Sequence, residues 1–151
     1  MNFTPGRINI FNFFKLPSVW WCGIRVTKID DISCRVKVVH SWINQNPFKS
    51  MFWAVQGMAA ELTTGVLIME AIQNSNRKVS MLVLNNRANF SKKARGKILF
   101  ECDEKQKLIK AMNRLIQTQD PQTIWLTSKG IDKNGDVVST FEFEWTLMLK
   151  N

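Results

Sequence analysis

The chain has few of the residues from which proteins build metal sites. It contains one histidine, His40, and three widely spaced cysteines in 151 residues, without a C-x-x-C pair. These numbers argue against a histidine-based metal site and against a disulfide framework. We therefore predict no metal centre. We also predict no catalytic triad, because no serine or cysteine lies at motif spacing from His40. The unpaired cysteines favour a reducing compartment, and we predict a cytoplasmic protein.

The sequence also shows no segment that would target the chain or cross a bilayer. Its N-terminus lacks the basic start, apolar run and small-residue cleavage site of a signal peptide. The longest apolar run, 51–69, is interrupted by Gln56 and Glu61, so we predict no membrane span. No Walker loop, G-x-G-x-x-G or H-E-x-x-H motif occurs. Phosphoryl transfer, dinucleotide redox chemistry and zinc proteolysis are therefore unsupported.

Basic residues are in excess, with 21 Lys and Arg against 12 Asp and Glu and a formal net charge of +9. Such a charge suits a nucleic acid, a membrane surface or an anionic small ligand, and it does not choose among them. The densest cluster, 91–97, has no interleaved aromatic residues and no nucleic-acid-binding signature, so we predict no nucleic-acid partner. Lysine and arginine side chains suit phosphate groups, and a glycine lets the backbone approach them. A solvated hairpin turn is an equal alternative for this cluster.

Hydrophobic periodicity predicts a short helix, a β-hairpin, one long helix and then mainly strands. The long helix is apolar nearly all round, which is typical of a buried helix. Ser50 is its expected N-cap, and Asn46-Pro47 is a second candidate start. Residues 104–118 fit a short amphipathic helix, although a strand is an alternative. Asn134-Gly135 predicts the turn of a hairpin near the end of the chain. The predicted helices are 7–16, 50–73 and 104–118, and the predicted strands are 23–29, 34–41, 79–85, 87–91, 96–103, 123–131 and 137–149.

These elements predict an α+β fold. A single buried helix has to be covered by the sheet, so we expect an antiparallel sheet wrapped around the central helix 50–73. One domain over 1–151 accommodates all elements, with an N-terminal helical segment at 1–19. Open sheet edges would join copies of the chain, which predicts a homodimer or tetramer.

This order of elements resembles the hotdog fold of phenylacetyl-CoA thioesterase-like proteins, and a short motif supports the resemblance. In that family an Asn is followed six residues on by His-Gly-Gly, and then by an Asp or Glu and a Gly on the central helix. Asn46, Glu61 and Gly65 occupy matching places, whereas Met51-Phe52-Trp53 replaces His-Gly-Gly. The similarity covers most of the chain, residues 20–150, and is closest to an uncharacterised branch of that superfamily.

The resemblance implies an acyl-CoA or acyl-carrier-protein thioesterase that acts at a dimer interface. Glu61 would serve as general base or nucleophile, because burial raises the pKa of a carboxyl group toward neutrality. An ion-paired Glu61 at a surface is the alternative. Backbone N–H groups of Met51 and Phe52 would polarise the thioester carbonyl. Asn46 would orient the loop at the thioester, with a simple turn residue as its equal alternative.

The resemblance also assigns the basic cluster and suggests a competing function. Coenzyme A enters as part of the substrate, and its phosphates would bind Lys92, Lys93, Arg95 and Gly96; no other cofactor is required. The loss of Gly-Gly favours an alternative, in which a catalytically degenerate hotdog protein binds acyl-CoA or a lipid-like ligand without turnover. Large aromatic residues near the loop could line an acyl tunnel or simply pack: Trp20, Trp21, Phe48, Phe52 and Trp53.

Overall fold

Four α-helices, one short 3₁₀ turn and six strands make up the computed structural model, which describes residues 3–150. Residues 1, 2 and 151 of the predicted domain lie outside the described part. The helices are α1 (Pro5–Lys15), α2 (Pro17–Trp21), α3 (Trp53–Ser75) and α4 (Lys105–Thr118). The strands are β1 (Arg25–Ile29), β2 (Cys34–Val39), β3 (Val79–Phe90), β4 (Lys97–Cys102), β5 (Gln122–Ile131) and β6 (Val137–Leu149), and the 3₁₀ turn is Trp42–Asn44.

All six strands join one antiparallel sheet in the order β1-β2-β4-β5-β6-β3. Helix α3 packs against β2, β4, β5 and β6, and most of its middle turns are buried. The α+β class and the sheet around a central helix are therefore confirmed. Strand β3 lies at one edge, where it pairs with β6 alone.

Strand β3 is continuous, which corrects the prediction of two strands at 79–85 and 87–91. Its register against β6 shifts between Val83 and Asn85. Such a bulge admits one extra residue into a strand without ending it. The extra residue, Leu84, lies inside the first predicted strand, and Asn86, where the predicted strands are separated, pairs with Phe143 of β6.

Helix α3 begins at Trp53 rather than at the predicted Ser50. Ser50 is buried in the preceding loop, and the N-cap is Phe52, which makes no capping hydrogen bond through its side chain. Lys49 has a positive φ of 59°, so the chain turns sharply before it enters the helix. The helix ends at Ser75, and Asn76 adopts the left-handed conformation that commonly follows a helix.

Helix α1 is attached to the sheet through Asn9. The Asn9 side chain accepts a hydrogen bond from the Val26 amide at 2.8 Å and donates one to the Val26 carbonyl at 2.9 Å. Pro17 ends α1, as predicted, and also begins α2, where its fixed φ suits the first helical position. Segment 105–118 is helical, which decides between the two alternatives for that pattern. Among the described helices, none is long and apolar enough to cross a membrane.

Candidate active site

A pocket of about 560 Å³ opens at the N-terminus of α3, and we call it the helix-end pocket. Its walls come from the loop before α3, the first turn of α3, the end of β3 and the segment 91–94. Aromatic side chains are prominent in it: Phe48, Phe52, Trp53 and Phe90. Phe48 is 71 % exposed, so this aromatic wall faces outward rather than packing into the core. Such a surface suits an apolar ligand.

Asn46 shapes the loop that borders this pocket. Its side-chain oxygen accepts a hydrogen bond from the Phe48 amide at 2.9 Å and a longer one from the Ser50 amide at 3.3 Å. Its Nδ2 donates to the Ser50 hydroxyl at 3.0 Å and to the Met51 carbonyl at 3.4 Å. These contacts are those of an Asx turn, and they fit the turn alternative for this residue.

The backbone donors at the helix-end pocket differ from the predicted pair. The Met51 amide donates to the Ala94 carbonyl at 2.8 Å, and the Phe52 amide donates to the Asn44 carbonyl at 2.9 Å. Both predicted N–H groups are therefore engaged by the protein itself. The next two residues, Trp53 and Ala54, open α3, and their N–H groups have no acceptor within the helix. The positive end of the helix dipole lies at this same point.

Sequence reasoning did not place Gln56 in a site, yet it lines the helix-end pocket. Gln56 is 4 % exposed; its Nε2 donates to the Met51 carbonyl at 3.3 Å, and its Oε1 accepts from the Ser139 hydroxyl at 2.8 Å. The side chain thereby ties the helix entrance to β6. Its only signal in the sequence was a polar residue interrupting an apolar helix.

The basic cluster borders the helix-end pocket, and its members differ in availability. Lys92 and Lys93 line that pocket and also a neighbouring cavity of about 260 Å³, which Arg95 helps to form. The Lys92 ammonium pairs with Asp132 at 2.6 Å and Asp136 at 2.8 Å, and these contacts raise its pKa. The positive charge of Lys92 is therefore balanced by two carboxylates. Lys93, in contrast, forms no ion pair with any residue of 3–150.

Arg95 lines this cavity, whereas Gly96, the next residue, lines neither this cavity nor the helix-end pocket. The Arg95 Nε donates to the Lys49 carbonyl at 3.1 Å, which leaves its terminal nitrogens for another partner. Gly96 has a φ of +67°, a conformation that favours glycine, and its carbonyl accepts a hydrogen bond from the His40 amide at 2.9 Å. Two cations, Lys93 and Arg95, are thus available beside the aromatic pocket.

Glu61 lies in a different cavity, of about 80 Å³, between α3 and α1. Burial raises the pKa of its carboxyl group, as the sequence predicts. Glu61 lies eight positions after Trp53, which is about 12 Å further along the helix axis. One protomer therefore does not bring Glu61 together with Asn46, Met51 and Phe52. Their catalytic roles stay predictions.

The surroundings of Glu61 are mostly apolar. The Trp145 indole donates to the Thr64 hydroxyl at 3.0 Å, and that hydroxyl donates to the backbone carbonyl of Glu61 at 2.8 Å. The first of these hydrogen bonds joins β6 to α3 and the second lies within α3, so neither of them contacts the carboxylate. A methyl group built on Gly65 would come within 3.9 Å of the Glu61 Oε1 and of the Trp145 ring. Glycine at this position therefore keeps space beside the carboxylate.

Among residues 3–150, no group of three or more His, Cys, Asp or Glu side chains could hold a metal ion. The candidate groups for chemistry are a half-buried carboxylate, the free amides of a helix N-terminus and two available cations.

The sheet around a central helix is the hotdog fold, and comparison with solved structures supports this assignment. A Pseudomonas aeruginosa protein described as a probable thioesterase superimposes with a TM-score of 0.82 at 18% identity, covering 97% of each chain. A Haemophilus influenzae thioesterase gives a TM-score of 0.73 at 11% identity, covering 99% of this chain and 93% of its own. A mutant thioesterase from Pseudomonas aeruginosa gives 0.73 at 11% identity, covering 99% and 97%.

Family membership follows from the sequence as a whole. Residues 7–147 match the model of the family described as Domain of unknown function (DUF4442), and the chain belongs to that family. No curated protein matches the chain.

Proposed function

We propose that this chain is a homodimeric hydrolase of acyl thioesters. The observation that carries the proposal is the helix-end pocket, which joins an aromatic wall, the start of α3 at Trp53 and the Lys93 cation, with Arg95 in the adjoining cavity. An acyl chain suits the aromatic wall, a thioester carbonyl suits the amides, and the phosphates of coenzyme A suit Lys93 and Arg95. The structural neighbours described as thioesterases support the same chemistry.

The edge strand β3 explains how Glu61 would reach this pocket. Phe90, at one end of β3, lines the helix-end pocket, and Met81, near the other end, lines the Glu61 cavity. If two β3 edges pair antiparallel about a two-fold axis, the Phe90 end of one strand lies beside the Met81 end of the other. Each helix-end pocket then adjoins the partner's Glu61 cavity. The dimer would hold two composite sites.

In the proposed reaction, the N–H groups of Trp53 and Ala54 polarise the thioester carbonyl and stabilise the oxyanion that forms on it. Glu61 from the partner removes a proton from water, and the resulting hydroxide adds to the carbonyl carbon. The C–S bond then breaks, and the thiolate takes up the proton that Glu61 holds. The products are a carboxylic acid and a free thiol. These steps use no metal ion.

The first experiment is release of free thiol from acyl-CoA substrates of short to long chain length. The wild-type protein is compared with Glu61→Gln, which removes the base and keeps the side-chain shape. Since general base catalysis contributes about 10²–10⁴-fold, turnover should fall by that factor. The matched control, Asp103→Asn, removes an exposed carboxylate elsewhere and should retain activity. Full turnover in Glu61→Gln would contradict the mechanism.

A second experiment tests the carrier. Lys93→Glu combined with Arg95→Glu should raise KM for acyl-CoA, while the KM for an acyl-pantetheine without phosphates should stay nearly unchanged. Lys110→Glu, an exposed charge reversal on α4, is the control. An equal rise for both substrates would show that these cations do not bind the phosphates. An acyl-carrier protein is the alternative carrier of the acyl group.

The free thiols suit a cytoplasmic setting, because a reducing compartment keeps cysteines unpaired.

A second candidate function is binding of acyl-CoA or a lipid-like ligand without turnover. It is favoured by the commitment of the Met51 and Phe52 amides to backbone bonds. The aromatic residues at the helix entrance also take space that glycines would leave open. Saturable acyl-CoA binding by the wild-type protein with no thiol release would establish this function instead.

A further inference from the structure

The cavity between α1 and α3 holds two polar side chains in apolar walls. Asn12 comes from α1 and Glu61 from α3, and the other lining residues are apolar, apart from the backbone at Gly65. Asn12 is only 1 % exposed. Its Nδ2 has no hydrogen-bond partner among residues 3–150. A buried amide with an unused donor therefore lines the same cavity as the half-buried Glu61 carboxylate.

The fold itself does not explain the Asn12 side chain. Asn9, one turn earlier on the same helix, uses both polar atoms of its amide to hold β1. Asn12 makes no comparable contact, although buried polar groups are almost always hydrogen-bonded in native proteins. An unpaired buried amide destabilises a fold, and an apolar side chain would suit these walls better. The exception calls for a ligand.

The size and chemistry of the cavity identify that ligand as water. A volume of about 80 Å³ exceeds what a single water molecule needs, and water persists in a cavity only where polar groups hold it. The Asn12 amide offers a donor, and the Glu61 carboxylate offers an acceptor. The remaining side chains of the lining are apolar.

We propose that this cavity binds the water that hydrolyses the thioester, held between the Asn12 Nδ2 and the Glu61 carboxylate. This inference rests on the proposed thioesterase function. Asn12 donates to the water oxygen and Glu61 accepts a proton from it, so one lone pair of the oxygen stays free to attack. One proton passes from the water to Glu61 and then to the departing sulfur, while the hydroxide joins the acyl carbon. Asn12 thus positions the nucleophile.

The test is Asn12→Leu, which keeps the shape of the side chain and removes both polar atoms. We expect kcat to fall by about 10–100-fold with KM unchanged, because a misplaced nucleophile costs about that factor. The same variant should not lower Tm, since no group of residues 3–150 pairs with the Asn12 Nδ2 and its loss therefore breaks no hydrogen bond to the fold. If Asn12 had a structural role, its substitution would lower Tm instead. Asn9→Leu is the control for that role and should lower Tm.

Two further variants decide the matter if Asn12→Leu does not fold. Asn12→Ser keeps a donor and Asn12→Ala does not, so Asn12→Ser should be about tenfold faster. Equal rates in these two variants would overturn the proposal. An unchanged kcat in folded Asn12→Leu, or a fall in both Tm and kcat, would also overturn it while leaving the thioesterase function intact. A wild-type protein that hydrolyses no thioester would refute that function, and the water site with it.

Discussion

A composite site predicts that two inactive variants restore each other's activity in a mixed dimer. One variant is Glu61→Gln, which lacks the base. The other is Ser91→Trp, which places a large side chain in the helix-end pocket from an exposed position of its lining. Each homodimer has two defective sites. In the mixed dimer, the intact pocket of one protomer meets the intact Glu61 of the other, while the second site carries both defects.

The expected recovery follows from this arrangement. Random reassociation of equal amounts makes half of the dimers mixed, and one of two sites in each is intact, so about one quarter of wild-type activity returns. The assay is thiol release after the two proteins are unfolded together and refolded, compared with the two proteins refolded separately. A site contained within one protomer would leave every site with a defect. Activity no higher than that of the separate homodimers would therefore refute the composite site.

Two further predictions concern stability. Burial raises the pKa of Glu61, so the folded protein holds its proton more tightly than the unfolded chain does. The stability that proton binding at Glu61 gives the folded protein is complete below the ordinary pKa of glutamate, and it is lost as pH rises through the higher pKa of the folded state. Glu61→Gln should therefore unfold at a higher urea concentration than wild type at pH 8, and the gap between the two midpoints should shrink at pH 4. Equal urea midpoints for Glu61→Gln and wild type at pH 8 would contradict this prediction. A methyl group on Gly130 would lie 2.5 Å from the Phe100 ring, which is fully buried, so Gly130→Ala should lose about 1–3 kcal/mol in urea unfolding. Gly6→Ala, whose added methyl meets nothing and which lies in α1, should not lower stability, and similar midpoints for both variants would refute the clash.

The elements that were predictable from sequence depend on local patterns. The apolar circumference of 50–73 marked a buried helix, and Asn134-Gly135 marked the β5–β6 turn, where Gly135 has a φ of +84°. The start of α3 was less predictable, because it depends on contacts outside the helix. Gln45 bridges to Met51, and Asn46 ties the loop to Ser50, so the chain turns before the helix begins.

The site was predictable in part for the same reason. The partial burial of Glu61 is expected from its apolar neighbours on the helix, and in the structure it raises the pKa of the carboxyl group. Which helix amides are free does not follow from the local sequence, because it depends on distant acceptors. The Met51 and Phe52 amides donate to the carbonyl groups of Ala94 and Asn44. Asn12 was beyond reach of the sequence pattern, since nothing near it in the chain indicates that it shares a cavity with Glu61.

The choice between hydrolysis and simple binding can be argued from what the Glu61 cavity costs the fold. A desolvated carboxylate and a buried amide without a partner in the protein both oppose stability, and neither helps to hold an acyl chain. A protein that only bound such a ligand would be more stable with apolar residues at both positions. Features that oppose stability and have no structural purpose concentrate at functional sites. Asn12 and Glu61 together therefore favour turnover, even though His-Gly-Gly is replaced at the helix entrance.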